Sequence, residues 1–163
     1  MNLELKKIKR EDKYLLEKML VEYFREIEPS KIIETEKGEK LDYPYLDFYW
    51  LEKDRMPIFV SYNNENIGFV LINNWVICDS FKAEKSVAEF YIEPKYRRMG
   101  IGKKVAYELF KKYSSKWEIR QIATNTIAIH FWRNIIEAFT DGNFREIVKE
   151  IEEEKLYVQL FQV

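Results

Sequence analysis

The segment Arg97-Arg98-Met99-Gly100-Ile101-Gly102-Lys103 combines basic side chains with two glycines, shortly after Pro94. A strand-like run, 86–92, precedes it, and the spacing of apolar residues after Gly100 is typical of a helix. The free N–H groups at a helix N-terminus point toward an anion, and the helix dipole favours negative charge there. Glycine also lets the backbone approach a ligand closely. The segment therefore predicts a site for the phosphates of a small molecule.

Glu89 is the acidic residue inside the strand-like run that precedes this segment. A carboxylate can act as a general base that removes a proton from an amine. A free glutamate titrates near ~4.3, so burial is needed to make it a stronger base. The alternative is a charge on the sheet face that pairs with a Lys, Arg or Tyr. Glu89 is the candidate catalytic residue.

Aromatic residues are dense between 43 and 50, and two carboxylates, Asp42 and Asp47, lie among them. The aromatic residues are Tyr43, Tyr45, Phe48, Tyr49 and Trp50. Aromatic rings and carboxylates suit a cationic amine through cation–π contacts and charge pairing. Packing of a short helix into the core is the alternative interpretation.

Other chemistries find little support in the sequence. A P-loop is excluded because Gly102-Lys103 is followed by Lys104 rather than Ser or Thr. The chain has one cysteine, Cys78, and one histidine, His130, so no zinc site and no metal is predicted. We expect His130 on the exposed side of its helix, and nothing near Cys78 would lower its pKa to make it a nucleophile.

Apolar spacing predicts a mixed α/β fold along the whole chain. Helices are expected between Asp12, whose side chain is expected to cap the first one, and Pro29, over a short stretch at 46–53, after Gly100, and over 127–139 with Ile127 on the apolar face. Strands are expected at 2–8, 57–62, 67–72, 86–92, 117–123, 144–148 and 156–161. Residues 29–47 show no regular pattern apart from a turn at 37–40.

Composition and charge exclude several classes of protein. The 163 residues carry a net charge of −1 and are 47% hydrophobic. A near-neutral chain with scattered basic residues does not attract nucleic acid or an anionic membrane. No apolar run approaches the length of a membrane span, and no signal-peptide core is present at the start. One cytoplasmic domain over 1–163 is expected.

Two segments together resemble the GNAT superfamily of N-acetyltransferases. Arg97-Arg98-Met99-Gly100-Ile101-Gly102 fits the pattern Arg/Gln-x-x-Gly-x-Gly/Ala between a strand and a helix. Asn125-x-x-Ala128-x-x-Phe131-Trp132 is similar to the Asn-x-x-Ala-x-x-Phe-Tyr segment of the same superfamily. Either segment alone is a weak signal, but both in order and in the right structural context are specific.

The resemblance implies a single GNAT-like α/β (α+β) domain, with a mixed, mostly antiparallel central sheet that is splayed in the middle and flanked by helices. It implies acetyl-CoA as cosubstrate, with its phosphates on the backbone of Arg97, Arg98, Met99, Gly100, Ile101, Gly102 and Lys103. The pantetheine arm is then expected along Phe90, Tyr91 and Ile92, with Asn125 and Trp132 as further cofactor-binding residues. Asn125 is equally suited to cap its helix.

One position departs from the family pattern, because Trp132 stands where a tyrosine often protonates the leaving thiolate. An indole N–H donates a hydrogen bond but does not release a proton near neutral pH. The resemblance still implies acetyl transfer to a primary amine, and direct transfer is expected because no Ser/His/Asp or Cys/His constellation is recognisable. The aromatic cluster with Asp42 and Asp47 favours a small-molecule acceptor over a protein or peptide amine. A non-catalytic CoA-binding module is the rival class, and a homodimer is a further expectation.

Overall fold

The computed structural model describes residues 2–163. Four α-helices span Lys13–Ile27 (α1), Phe48–Leu51 (α2), Ile101–Lys112 (α3) and Thr126–Thr140 (α4). Nine strands span Leu3–Lys7 (β1), Ile32–Thr35 (β2), Gly38–Leu41 (β3), Met56–Tyr62 (β4), Glu65–Asn73 (β5), Lys85–Ile92 (β6), Lys116–Ile122 (β7), Arg145–Ile151 (β8) and Glu154–Gln162 (β9). The predicted α/β class is confirmed, with most boundaries within two residues of the expected ones.

Seven strands form one mixed sheet in the order β1-β4-β5-β6-β7-β9-β8. The pairs β1/β4, β7/β9 and β8/β9 are antiparallel, whereas β6 and β7 run parallel. The parallel register joins Lys85 to Trp117 and Ser86 to Glu118, at the beginning of both strands. A mostly antiparallel sheet whose parallel pair is joined at one end agrees with the predicted architecture.

Backbone contacts divide the chain into two compact units. The first unit comprises the chain up to Leu71 together with Glu89–Tyr96, and the second comprises Ile72–Ala88 and Arg97–Val163. In the first unit, α1 buries Leu16, Leu20 and Phe24, which are four residues apart and so form one stripe on the helix. The helix ends where the N–H of Glu28 donates to the carbonyl of Phe24, directly before a proline.

The second unit has an aromatic core on one side of β7 and β9. The ring of Phe110 in α3 lies 5.3 Å from that of Trp117 and 4.9 Å from that of Phe161. Trp132 of α4 packs near the same ring, at 6.4 Å. Large interlocked rings of this kind contribute much of the burial energy of a small core.

A loop between β5 and β6 covers the other core of the second unit, around Cys78, Val158 and Leu160. The carboxylate of Glu118 is fully buried and accepts hydrogen bonds from the backbone N–H groups of Ile77 and Cys78, at 2.9 and 3.0 Å. Arg120 donates to the same carboxylate at 2.6 Å. The buried charge of Glu118 therefore holds the loop on the sheet.

Three sequence expectations are wrong in detail. Residues 32–41 form a hairpin of β2 and β3 rather than irregular chain, because its strands are charged and mostly exposed and so lack the apolar alternation that predicts strands. Asp12 stands at the start of α1 but its side chain makes no capping hydrogen bond. Ile127 is 83% exposed, and α4 instead buries Ile129 with Trp132 and the two isoleucines that follow.

Candidate functional site

Glu89 of β6 lies at the centre of a tyrosine cluster in the first unit. Its Oε2 atom accepts a hydrogen bond of 2.7 Å from the hydroxyl of Tyr23 in α1. Its Oε1 atom accepts one of 3.2 Å from the hydroxyl of Tyr43, which precedes α2. Glu89 itself is partly buried, so protein atoms surround the carboxylate while part of the residue stays open to solvent.

This environment changes the acidity of the carboxyl group. Burial is the largest effect and raises the pKa of Glu89 to about 7. The hydrogen bonds from Tyr23 and Tyr43 and the charge of Lys31 lower this pKa in part, and the charge of Glu28 raises it. A carboxyl group with a pKa near the working pH is well matched to general base catalysis. The alternative expectation, a charge paired with a tyrosine, agrees with the hydrogen bonds that Glu89 accepts from two tyrosines, and its role as a base stays a prediction.

The tyrosines of the cluster remain protonated. Burial and the neighbouring charge of Glu89 raise the pKa of Tyr23 well above its usual value, and the same two causes raise that of Tyr43. They also raise the pKa of Tyr49 to about 12. Tyr23 and Tyr43 therefore act as hydrogen-bond donors to Glu89 and not as acids.

Ring packing fixes Tyr23 in place. Its ring contacts those of Phe24, Phe69 and Tyr91, with centroids 5.0, 5.7 and 5.9 Å away. Phe69 and Tyr91 also pack on each other at 5.5 Å. The donor to Glu89 is thus held by three neighbours from α1, β5 and β6.

Gly68 of β5 allows a close approach to the end of β6. A Cβ atom at Gly68 would lie 2.1 Å from the carbonyl oxygen of Tyr91 and 3.1 Å from the Cα of Ile92. Real Cβ atoms do not occur at such distances, so only glycine fits here. Of the strand residues predicted to bind pantetheine, Tyr91 and Ile92 are buried and Phe90 is partly buried.

The predicted phosphate segment forms an exposed turn in the second unit that leads into α3. Arg98 and Gly100 both have positive φ, 62° and 75°, and Gly100 is the N-cap residue of the helix. A Cβ atom at Gly100 would have no neighbour within 4 Å. The first turn of α3 lacks intrahelical partners for its N–H groups, so this exposed turn offers backbone donors to an anion.

The second family segment contains a helix cap and a buried ring. The side chain of Asn125 accepts a hydrogen bond from the N–H of Ala128 at 3.1 Å, which confirms the capping interpretation. Trp132 is 6% exposed and packs edge-on against Phe131 at 5.0 Å. Its burial agrees with a packing role, and contact with a ligand stays a prediction for both residues.

The aromatic stretch 43–50 divides between different environments. Tyr43 reaches Glu89, Tyr49 is buried, and Trp50 donates to the carbonyl of Ile8 at 2.9 Å. Asp47 lies on the surface, where it pairs with Lys13 at 2.9 Å and Arg10 at 3.5 Å. Asp47 is thus paired with two cations at the surface, and a part for it in holding a cationic amine stays a prediction.

An open depression of about 430 Å³ lies beside Tyr91 in the first unit. It is also lined by two apolar side chains, Met19 and Pro94, and by four charged ones, Lys18, Glu22, Glu93 and Lys95. His130 is exposed as expected, and Cys78 is buried. Among residues 2–163, no group of acidic, cysteine and histidine side chains could hold a metal ion. In the same range, no helix is both long and apolar enough to cross a membrane.

Sequence reasoning does not identify the most important partner of Glu89. The helical spacing places Tyr23 only on the apolar face of α1, and it lies 66 residues before Glu89 in the chain. The one available signal is the position of a polar-tipped aromatic residue within an otherwise apolar stripe. Nothing local distinguishes such a tyrosine from a core residue.

Comparisons with known proteins agree with this description of the fold. The sequence profile of the Acetyltransferase (GNAT) family matches residues 16–135. The fold is similar to that of an acetyltransferase from Thermus thermophilus, with a TM-score of 0.70 and 13% identity over 100% of this chain and 98% of that one. A comparison with curated proteins gave no match.

Two further solved structures share the fold. One is yncA, a putative acetyltransferase from Salmonella typhimurium with its cofactor acetyl-CoA, with a TM-score of 0.62, 14% identity and coverage of 99% and 94%. The other is the ribosomal-protein-S18-alanine N-acetyltransferase from Escherichia coli, with a TM-score of 0.60, 11% identity and coverage of 99% and 94%. At these identities the likeness concerns the fold.

Proposed function

The chain belongs to the Acetyltransferase (GNAT) family and is an acetyltransferase that uses acetyl-CoA, and we propose that it transfers the acetyl group directly to a primary amine with Glu89 as the general base. The observation that carries the choice of base is the partly buried carboxylate of Glu89, held by two tyrosine hydroxyls. In this proposal residues 1–163 act as one catalytic domain.

The cosubstrate is held mainly by backbone groups. The backbone from Arg97 to Lys103 holds the phosphates of acetyl-CoA, and the fit is good because the turn is exposed and the space around Gly100 is open. Acetyl-CoA supplies the activated acetyl group. The further cofactor-binding residues of the proposal are Phe90, Tyr91, Ile92, Asn125 and Trp132.

Glu89 acts on the acceptor. A protonated amine must lose a proton before its nitrogen can attack a carbonyl carbon, and a carboxylate of pKa about 7 can take that proton near neutral pH. The first proton of the amine passes to Glu89, and the neutral nitrogen then attacks. The carbon–nitrogen bond forms as the carbon–sulfur bond breaks, and the second proton left on nitrogen passes through water to the thiolate, while Glu89 returns its proton to solvent. Trp132 takes no part in proton transfer, since an indole N–H is not an acid near pH 7.

The acceptor is a primary amine, and a small molecule is the first candidate because Tyr43 brings an aromatic ring beside Glu89. A peptide amine is the second candidate, because the depression next to Tyr91 is open and Asp47 is engaged on the surface. Thiol release from acetyl-CoA, measured with spermidine, kanamycin and a short peptide with a free N-terminus, distinguishes the two. Binding of acetyl-CoA without thiol release to any amine would favour the non-catalytic module.

Gly100→Glu is expected to weaken acetyl-CoA binding by about a hundredfold or more, measured by isothermal titration calorimetry. The new carboxylate stands in the phosphate-binding turn, where like charge and lost backbone access both oppose the ligand. Affinity equal to that of the wild type would mean that the ligand binds elsewhere.

Gly142→Glu is the matched control for this variant. Gly142 has a φ of 76°, against 75° for Gly100, and its Cβ would also meet nothing within 4 Å. Both variants therefore carry the same backbone strain and add the same charge, and only their positions differ. Equal loss of affinity in both would attribute the effect to strain rather than to the phosphate site.

A further inference from the structure

Tyr23 makes the shorter of the two hydrogen bonds to Glu89. Its hydroxyl lies 2.7 Å from Oε2, whereas that of Tyr43 lies 3.2 Å from Oε1. A hydrogen bond to an ionised carboxylate stabilises the charged form relative to the neutral one. Burial acts in the opposite direction, so the tyrosine hydroxyls oppose the effect of the surroundings on Glu89.

Tyr23 is also the member of the cluster whose ring is best fixed. Three aromatic rings from α1, β5 and β6 contact it, so its hydroxyl cannot leave Oε2 without repacking these neighbours. A donor fixed in this manner sets both the direction of the carboxylate and its charge. Tyr43 follows the hairpin of β2 and β3 and makes the longer bond.

We propose that Tyr23 is a positioning residue that keeps the Glu89 carboxylate ionised and oriented for the acceptor amine. The inference rests on the proposed role of Glu89 as the base. Tyr23 does not touch the reacting atoms in this proposal and acts only through Glu89.

Every charged or titratable group that faces Glu89 enters the expected pH behaviour. Tyr23 lies in α1, Glu28 directly follows that helix, and Lys31 lies in the 3-10 turn after it. Tyr43 precedes α2, and Tyr49 lies within it. Tyr23, Tyr43 and Lys31 favour the ionised carboxylate, whereas Glu28 opposes it. Tyr49 stays neutral in the relevant range, and its buried hydroxyl interacts with Tyr43 and Arg55 and with the charge of Glu89.

Tyr23→Phe removes the hydroxyl and keeps the ring, so the packing is preserved. We expect the pKa of Glu89 to rise by about one unit, the size of one charge-assisted hydrogen bond. NMR titration of protein labelled with ¹³C at the glutamate carboxyl carbon measures this value without any substrate, and the signal missing in Glu89→Gln gives the assignment.

The kinetic experiment measures thiol release from acetyl-CoA with whichever of spermidine, kanamycin and the short peptide gives the highest rate. The acid limb of kcat/KM should move upward by about one pH unit in Tyr23→Phe, so that the rate is roughly tenfold lower on the acid side and equal to wild type well above pH 8. Tyr14→Phe is the control, because it removes a phenol hydroxyl from the same helix at a position that is 55% exposed and away from Glu89. Its acid limb and its Glu89 titration should stay where they are in the wild type.

The outcomes separate the two claims. If Glu89→Gln keeps the acid limb, Glu89 is not the base, and the proposed function fails in that part. If Glu89→Gln removes the limb but Tyr23→Phe leaves both the limb and the NMR pKa unchanged, only the role of Tyr23 is overturned. A loss in Tyr23→Phe that is equal at every pH, or a shift that Tyr14→Phe reproduces, would assign Tyr23 a merely structural role.

Discussion

Replacement of Glu89 by glutamine is expected to lower kcat/KM for acetyl transfer by between about a hundredfold and ten thousandfold. Glutamine has nearly the same shape and can still accept one hydrogen bond from a tyrosine hydroxyl, but it cannot take a proton from the amine. Binding of acetyl-CoA should change little, so calorimetry on the same variant separates loss of chemistry from loss of the cosubstrate.

The pH dependence of acetyl transfer is a second test of Glu89→Gln. The wild-type carboxylate must be ionised to act as a base, so activity should fall as the pH decreases through about 7, the pKa of Glu89. In Glu89→Gln the acid limb near pH 7 should vanish and leave a low rate that rises with pH only as the acceptor amine itself loses its proton. A rate and profile equal to those of the wild type would assign the deprotonation to solvent or to another residue.

The second large effect is expected on stability. Glu118→Ala should lower the free energy of unfolding by about 3 to 5 kcal/mol, because it leaves a cation and two backbone N–H groups without their shared acceptor. Those groups are Arg120 and the N–H groups of Ile77 and Cys78. Urea unfolding followed by circular dichroism measures the change.

Two further variants make the stability result specific. Asp79→Ala alters an exposed carboxylate in the same loop and should change the free energy of unfolding by about 0.5 kcal/mol or less. Glu118→Gln keeps one acceptor oxygen, so its loss of unfolding free energy should lie between those of Glu118→Ala and Asp79→Ala. A loss below about 1 kcal/mol in Glu118→Ala would show that the loop is held by its apolar contacts rather than by the buried charge.

Sequence patterns predicted those parts of the molecule whose causes are local. The turn at Gly100 and the cap at Asn125 lie next to the elements that they serve, so residue type and spacing suffice to find them. The helices and most strands follow from apolar periodicity for the same reason. The charged hairpin of β2 and β3 has no such periodicity, and its strands are defined only by pairing with each other.

The surroundings of Glu89 could not be predicted, because they join residues far apart in the chain. Tyr23 and Tyr43 reach the carboxylate from 66 and 46 residues away, through packing that no local pattern encodes. The direction of Asp47 could not be predicted either, because one turn of helix has no reliable direction from sequence; its side chain pairs with Lys13 at the surface. The small-molecule acceptor, the homodimer and the cytoplasmic location stay predictions.

The raised pKa of Glu89 also makes the folded state sensitive to protons. A carboxyl group whose pKa rises from 4.5 to about 7 on folding contributes its full stability below pH 4.5 and loses it as the pH rises through 7. Between about pH 5 and pH 8 this difference is worth roughly 2 to 3 kcal/mol. At neutral pH and above, the native chain therefore binds a proton at this position more tightly than the unfolded chain does. The same burial that makes Glu89 a stronger base thus lowers the conformational stability of the resting protein in alkaline solution.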